Sequence, residues 1–133
     1  MARPEPPHPS LLRAPTRAFG WLDARLLREE WLARLGPDAT AVLTLLALAA
    51  DRSGSSYYGR DRMGRALGLT RSRIDAGLAR LLELRLVAVR PWRDGHPDGV
   101  WQLLPLPTPP VRSRGAPTSV GDILGQLRRR PGP

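Results

Sequence analysis

The chain has 133 residues and a formal net charge of +9, a length that fits one compact domain and is too short for two ordinary ones. It contains no cysteine and only two histidines, which excludes a disulfide framework and argues against a structural zinc site. No apolar stretch reaches the roughly 18 to 20 residues of a membrane span, and residues 1–7 lack the apolar core of a secretory signal. We therefore expect a cytoplasmic protein without a membrane segment.

The positive charge is concentrated in two segments. Residues 1–51 are neutral, residues 52–93 carry ten arginines against three carboxylates, and residues 112–133 carry five arginines against one. Every basic residue is arginine and none is lysine, which indicates a biased base composition, but such a bias does not explain why the excess is segmental. The segmentation favours a polyanionic partner, with a merely solvated basic face as the alternative.

The first part of the chain predicts a leader followed by two helices. Residues 1–18 are rich in proline and lack periodicity, which is typical of a flexible leader. Apolar residues recur at helical spacing over residues 21–35, and a second apolar run covers residues 38–50. Gly36 and Pro37 separate the two helices. Because the second helix is apolar nearly all round, we expect it to be buried.

The middle of the chain predicts two more helices joined by a tight turn. Residues 55–58 read as a short extended piece and residues 60–67 as a helix. Gly68 supplies the positive φ needed after a helix end, and Thr70 is suited to cap the first turn of a helix over residues 70–84. The inward stripe of that helix is formed by Ile74, Leu78 and Leu81.

The last part of the chain predicts a β-hairpin, a linker and a tail. Residues 86–92 and 100–104 read as strands, and the loop 93–99 between them is dense in turn-forming residues. Residues 105–118 form a proline-rich linker. Residues 119–133 read either as a disordered basic tail or as a peptide that docks on a protein partner. The apolar face of this tail consists of Ile123, Leu124 and Leu127.

The order helix, turn, helix, strand, loop, strand over residues 60–104 resembles the winged helix-turn-helix domains of bacterial DNA-binding proteins. The resemblance is carried by Leu69, Thr70, Arg71, Ser72, Arg73 and Ile74, then by Leu78, Arg80 and Leu81, and by Leu86 and Val87. It points to MarR-like and GntR-like regulators and to the helix-turn-helix modules of plasmid and phage replication proteins. It implies a mainly α fold with a small β-hairpin, a winged helix-turn-helix domain over residues 19–104 with an extra N-terminal helix.

The resemblance also implies where DNA would be bound. The helix over residues 70–84 is expected to enter the major groove, and the loop 93–99, the wing, to touch the adjacent minor groove. An exposed arginine near a helix start can contact guanine through two hydrogen bonds, and hydroxyl groups hold phosphates. The expected DNA-binding residues are Arg60, Arg62, Thr70, Arg71, Ser72, Arg73, Ala76, Arg80, Arg93 and His96.

Three features depart from the family pattern. Arg85 stands where a glycine usually ends the second helix, so it must tolerate the C-terminal turn or alter it. Asp75 places a negative charge beside the expected groove face, where it would accept a hydrogen bond from cytosine or pair with Arg71. Leu82 and Leu84 are more apolar than the pattern expects, which favours a contact beyond the core.

The four tryptophans are assigned to packing or to association. Trp92 and Trp101 flank the hairpin loop and are expected to pin the hairpin. Trp21 and Trp31 lie on the first predicted helix, and the three later helices supply a core without them. We therefore expect both in the interface of a homodimer, which would bind a two-fold symmetric site.

Catalytic motifs do not appear in the sequence. Neither histidine has a nucleophile and an orienting carboxylate at motif spacing, so we expect neither an enzyme nor a cofactor. The preferred function is a double-stranded DNA-binding protein of the bacterial nucleoid, a repressor or an accessory factor of a plasmid, phage or transposable element. The alternative is a winged-helix adaptor that binds a protein partner in a larger nucleoprotein complex. Binding of single strands ranks lower, because only Tyr57 and Tyr58 offer exposed aromatic platforms.

Overall fold

The computed structural model describes residues 4–14 and 18–107 and is mainly helical, with a small three-stranded antiparallel sheet. The predicted tail residues Ile123, Leu124 and Leu127 lie outside the described part of the chain. The elements that follow a 3₁₀ turn at Pro9–Leu11 are α1 (Arg25–Arg28), α2 (Trp31–Ala49), β1 (Ser55–Ser56), α3 (Arg60–Leu67), α4 (Arg71–Glu83), β2 (Val87–Pro91) and β3 (Gly99–Leu103).

The prediction of a single helix over residues 21–35 is wrong, because the helical conformation is interrupted before Trp31. α1 ends at Arg28, and Glu30 adopts a left-handed conformation with φ 61° before α2 begins. In one continuous helix, Leu26 and Trp31 would point about 140° apart. The left-handed turn instead lets both side chains enter the core, where each is buried.

The predicted separation at Gly36 and Pro37 is confirmed as a break inside α2. Gly36 has φ 77° and ψ 173°. Glycine adopts this combination of a positive φ and an extended ψ without steric cost. Pro37 then starts the second part of α2, where its missing N–H is not needed. Six residues of this part are buried, fewer than expected, and Leu48 is 67% exposed.

α2 as a whole is long and apolar enough to cross a membrane by length and composition alone. Core helices and N-terminal signal sequences pass the same test, and eight residues of α2 are buried inside the domain, so this property is weak evidence. The break at Gly36 leaves residues 37–49 as a helical piece shorter than the about 20 residues that a span needs.

The core lies between α2, α3, α4 and the inner face of the sheet. Met63 of α3 and the predicted stripe of Ile74, Leu78 and Leu81 on α4 are buried there. The strand order is β1-β3-β2, and Trp101 at the centre of β3 is buried against the helices. The predicted extended piece and hairpin are therefore confirmed as one sheet.

The turn between α3 and α4 follows the predicted local chemistry. Gly68 has φ 68°, and the Leu69 N–H donates to the Gly64 carbonyl at 3.0 Å, which closes the end of α3. The Thr70 hydroxyl accepts a hydrogen bond from the Arg73 N–H at 3.3 Å and caps α4. Both predictions are confirmed.

Candidate nucleic-acid interface

One side of α4 is exposed to solvent in the described part of the chain. Ser72, Arg73, Ala76 and Ala79 are exposed along this side, while Ile74 on the opposite side is fully buried. The amphipathic pattern causes this division, since apolar residues at helical spacing turn one stripe towards α2 and leave the other in solvent. A surface one helix wide is thus open to a large partner.

The arginines at the start of α4 are held by carboxylates of neighbouring helices. The Arg71 guanidinium pairs with Asp61 of α3, and both side chains are well exposed. Arg73 pairs with Asp38 of α2: its Nη2 lies 2.6 Å from Oδ1, and its Nε lies 3.1 Å from Oδ2. The hydrogen bond from Arg73 holds the pKa of Asp38 below its ordinary value. Sequence reasoning placed these arginines correctly on the outside but did not foresee their partners.

Arg60 links elements of the fold, and its assignment as a DNA-binding residue stays a prediction. Its Nη1 lies 2.8 Å from Asp75 Oδ1 on α4, its Nε lies 3.3 Å from Asp98 Oδ1 in the hairpin loop, and its side chain is only 18% exposed. The backbone N–H of Arg60 also donates to Asp98 at 3.1 Å and so caps α3. Asp75 therefore pairs with Arg60 and not, as the sequence suggested, with Arg71.

Arg80 holds α4 against the first turns of α2. Its Nε donates to the Arg34 carbonyl at 2.9 Å, and its Nη1 lies 2.5 Å from Glu83 Oε1. The Arg34 carbonyl is available because the break at Gly36 removes its helical partner. Arg80 is half-buried at the edge of the exposed side of α4.

The loop between β2 and β3 is stabilised by its own hydrogen bonds. The Trp92 N–H donates to the Asp98 carbonyl at 3.0 Å, and the His96 N–H donates to the Arg93 carbonyl at 2.9 Å. His96 Nδ1 accepts from the Asp98 N–H at 3.0 Å. The His96 ring is thus engaged in shaping the turn, whereas the Arg93 side chain is exposed.

A small open cleft of about 280 Å³ lies between the start of α4 and the exposed side of α3. Arg65 extends into solvent there, and Arg62 covers the ring of Tyr58 with its guanidinium carbon 4.1 Å from the ring centroid. A concave surface that contains several guanidinium groups suits a phosphate oxygen. The cleft is lined by Arg60, Asp61, Gly64, Arg65, Leu69 and Arg71.

The tryptophans divide differently from the prediction. Trp31 is buried in the core, where its Nε1 lies 3.3 Å from Glu29, so its assignment to a dimer interface is wrong. The reason is the break before α2, which turns Trp31 inward. Trp21 is 76% exposed, and Trp101 is buried in the sheet as expected. Trp92 is exposed and stacks on Tyr57, a pair that sequence reasoning did not connect.

An apolar groove of about 780 Å³ runs between residues 19–26, the end of α2 and residues 102–106. Phe19 and Trp21 stand at its edge with most of their surface in solvent. Gly20 allows the N-terminal segment to approach α2, since a Cβ there would lie 2.5 Å from the Ala47 carbonyl oxygen. This groove is a second surface, formed by elements other than α4.

Comparison with protein-family models, curated proteins and solved structures found no match for this chain. Within residues 4–14 and 18–107, no group of three or more acidic or histidine side chains is placed to hold a metal ion. The geometry and charge of the described surfaces therefore carry the functional argument.

Proposed function

We propose that this protein binds double-stranded DNA as a winged helix-turn-helix domain. In this proposal α3, the Gly68 turn and α4 form the helix-turn-helix, and residues 93–99 of the hairpin are the wing. The observation that carries the proposal is the exposed side of α4. This helix begins with a threonine cap and two arginines, and a single helix fits the width of a major groove.

The ion pairs at the start of α4 are compatible with this function. Arg71 and Arg73 are paired across solvent-exposed contacts, and exposed ion pairs contribute little to stability. A guanine edge or a phosphate offers each guanidinium a partner of at least equal quality, since two hydrogen bonds fit its planar shape. Asp61 and Asp38 hold the two arginines in place until DNA replaces the two carboxylates as their partners.

The biological role that we propose is a repressor or an accessory factor of a plasmid, phage or transposable element, located in the cytoplasm on the nucleoid. Exposed Trp21 favours a homodimer, which would present two copies of α4 to a two-fold symmetric site.

The test is selection of binding sites from random duplexes, followed by affinity measurements at several salt concentrations. The double variant Arg71→Ala/Arg73→Ala is expected to lose preference for the selected site by roughly 10- to 100-fold, because each bidentate contact to a base discriminates strongly. The control is Arg28→Ala/Arg52→Ala, which removes the same charge from exposed positions outside α3, α4 and the hairpin. Equal protection of the site by both double variants would contradict the proposal.

A gain of affinity tests the same proposal in the opposite direction. Asp38→Asn/Asp61→Asn frees both arginines, so we expect tighter binding and a salt dependence steeper by about two ions, because each additional phosphate contact releases about one counterion. Asp94→Asn, which removes a carboxylate that makes no ion pair in the described structure, is the control for simple loss of charge. If Asp94→Asn tightens binding as much per charge removed as Asp38→Asn/Asp61→Asn does, release of the two arginines from their ion pairs does not explain the gain.

A second candidate function is a protein-interaction module, and the apolar groove beside Phe19 and Trp21 favours it. We assign a second copy of this chain to the groove, since the exposed Trp21 of one copy is of a kind that anchors interfaces. Sedimentation equilibrium of the unsubstituted protein and of Trp21→Ala tests this assignment. If the protein selects no duplex and forms a dimer that Trp21→Ala dissociates, the protein-interaction module is favoured over the DNA-binding role. A monomer at all concentrations would reject it.

A further inference from the structure

The register of the sheet places four side chains together on the face turned away from the helices. Trp101 is buried, so its partners across the sheet, Ser56 and Val89, also point to the core. Side chains alternate along a strand, and the neighbours of these residues therefore point outward. This outer sheet face includes Arg90 of β2 and Val100 of β3, and it continues to Tyr57 and Trp92, which directly follow β1 and β2.

Tyr57 and Trp92 form a stacked aromatic pair on the outer sheet face. Their ring centroids are 6.4 Å apart, and the ring planes differ by 13°. Tyr57 is 59% exposed and Trp92 is 54% exposed, and neither belongs to the hydrophobic core. The two rings thus offer broad flat surfaces to solvent from residues that directly follow β1 and β2.

Beside this aromatic pair, two arginines outnumber the one carboxylate, Asp94, that makes no ion pair in the described structure. Arg90 shares the face, and Arg93 follows Trp92 directly; both are exposed and make no ion pair in the described structure. This contrasts with Arg71 and Arg73 of α4, which are both paired. Of the carboxylates in the loop, Asp98 is occupied by Arg60. Flat rings beside free guanidinium groups are the combination that holds the bases and phosphates of a single strand.

A short chain of contacts connects this face to α4. The Trp92 N–H donates to the Asp98 carbonyl at 3.0 Å, Asp98 pairs with Arg60, and Arg60 pairs with Asp75 on α4. A nucleic acid on α4 therefore lies near the hairpin that carries the aromatic pair.

We propose that the outer sheet face stacks one or two unpaired bases of a DNA strand that continues from the duplex bound by α4. The inference rests on the proposed function for the position of the duplex. It assigns the protein a preference for duplex DNA with an adjoining single strand, such as a melted or tailed end. Tyr57 and Trp92 supply the stacking surface, and Arg90 and Arg93 hold the phosphates.

The test uses the full chain and three fluorescent probes: the selected blunt duplex, the same duplex with a tail of about ten thymidines, and the thymidine strand alone, a length within the usual site size for single strands. We expect the tail to raise affinity about tenfold, since stacking of one base has an effect of that order. Trp92→Ala and Tyr57→Ala should each abolish most of this gain and leave affinity for the blunt duplex unchanged. Trp92→Phe, which keeps a flat ring, should retain part of it.

The control is Trp21→Ala, which removes an even more exposed tryptophan from the edge of the apolar groove. The proposal is overturned if the tail adds no affinity in the unsubstituted protein, or if Trp21→Ala removes the gain as completely as Trp92→Ala. Loss of duplex selection together with Trp92-dependent binding of the thymidine strand would reject the proposed function and retain the aromatic site. The two failures are therefore distinguishable.

Discussion

Arg85 ends α4 in a backbone conformation that favours glycine. Its φ is 60°, and its N–H donates to the Leu82 carbonyl at 3.0 Å. The next N–H, that of Leu86, donates to the Leu81 carbonyl at 3.0 Å, and the side chains of Leu86 and Leu81 are both buried. These contacts form the Schellman arrangement, in which the left-handed position is usually glycine. The arginine therefore tolerates the turn and does not alter it.

Replacement of Arg85 by glycine should stabilise the protein. Relief of the left-handed strain exceeds the extra chain entropy of glycine, so we expect the free energy of unfolding to rise by about 0.5 kcal/mol. Urea denaturation measures this change. Arg65→Gly, inside α3, is the control and should lower the free energy of unfolding by about 1 kcal/mol. A loss of stability in Arg85→Gly would show that its side chain contributes more than its backbone costs.

At the scale of elements, Arg60 joins α3, α4 and the hairpin loop. Its guanidinium lies between Asp75 and Asp98, and its backbone N–H uses Asp98 as a cap that Gly59 cannot provide. The hydrogen bond that Arg60 donates to Asp75 is the main cause that raises the pKa of Arg60. Arg60 thus links the hairpin loop to α3 and α4, beside the core contacts of Val87 and Trp101.

Arg60→Ala should lower the free energy of unfolding by about 1–2 kcal/mol, because hydrogen bonds to charged groups are lost and two carboxylates are left close together. Arg60→Lys should restore only part of this, since a single ammonium group cannot reproduce the fork that reaches both carboxylates. Arg65→Ala, an exposed arginine of the same helix, is the matched control for urea denaturation. If Arg60→Ala is as stable as Arg65→Ala, the junction does not stabilise the fold.

At the scale of the whole molecule, carboxylates spread over the fold depend on remaining charged. The hydrogen bond from Arg25 lowers the pKa of Glu29, that from Arg73 lowers the pKa of Asp38, and that from the Ser53 hydroxyl lowers the pKa of Asp51. Each pKa is lower in the folded protein than in the unfolded chain. The stability that these groups contribute is therefore fully present above their ordinary values of 3.8 to 4.5 and is lost as the pH falls through the lower folded values.

The melting temperature should accordingly change little with these groups above about pH 5 and fall as the pH drops below about 4. Thermal unfolding followed by circular dichroism measures the profile. Asp51→Asn should flatten the acid side of the profile, because Asp51 accepts hydrogen bonds from the Ser53 hydroxyl at 2.7 Å and the Ser55 N–H at 3.0 Å. Glu5→Gln, in the exposed N-terminal segment, should leave the profile unchanged. A profile in Asp51→Asn identical to that of the unsubstituted protein would contradict this assignment.

Features that depend on a few neighbouring residues were predictable from the amino-acid sequence. The breaks at Gly36 and Gly68, the cap at Thr70 and the buried stripe of α4 follow from backbone freedom, a hydroxyl at a helix start and apolar spacing. The open side of α4 was predictable for the same reason, since the spacing that buries one stripe exposes the opposite one.

The pairs of distant side chains that meet are visible only in the folded protein. Arg73 pairs with Asp38 across 35 residues, and Arg60 pairs with Asp98 across 38. The stack of Tyr57 on Trp92 likewise requires β1 and β2 to flank β3. Such contacts follow from the packing of complete elements, because charge and aromatic character in a sequence specify what a residue can bind but not what comes within its reach.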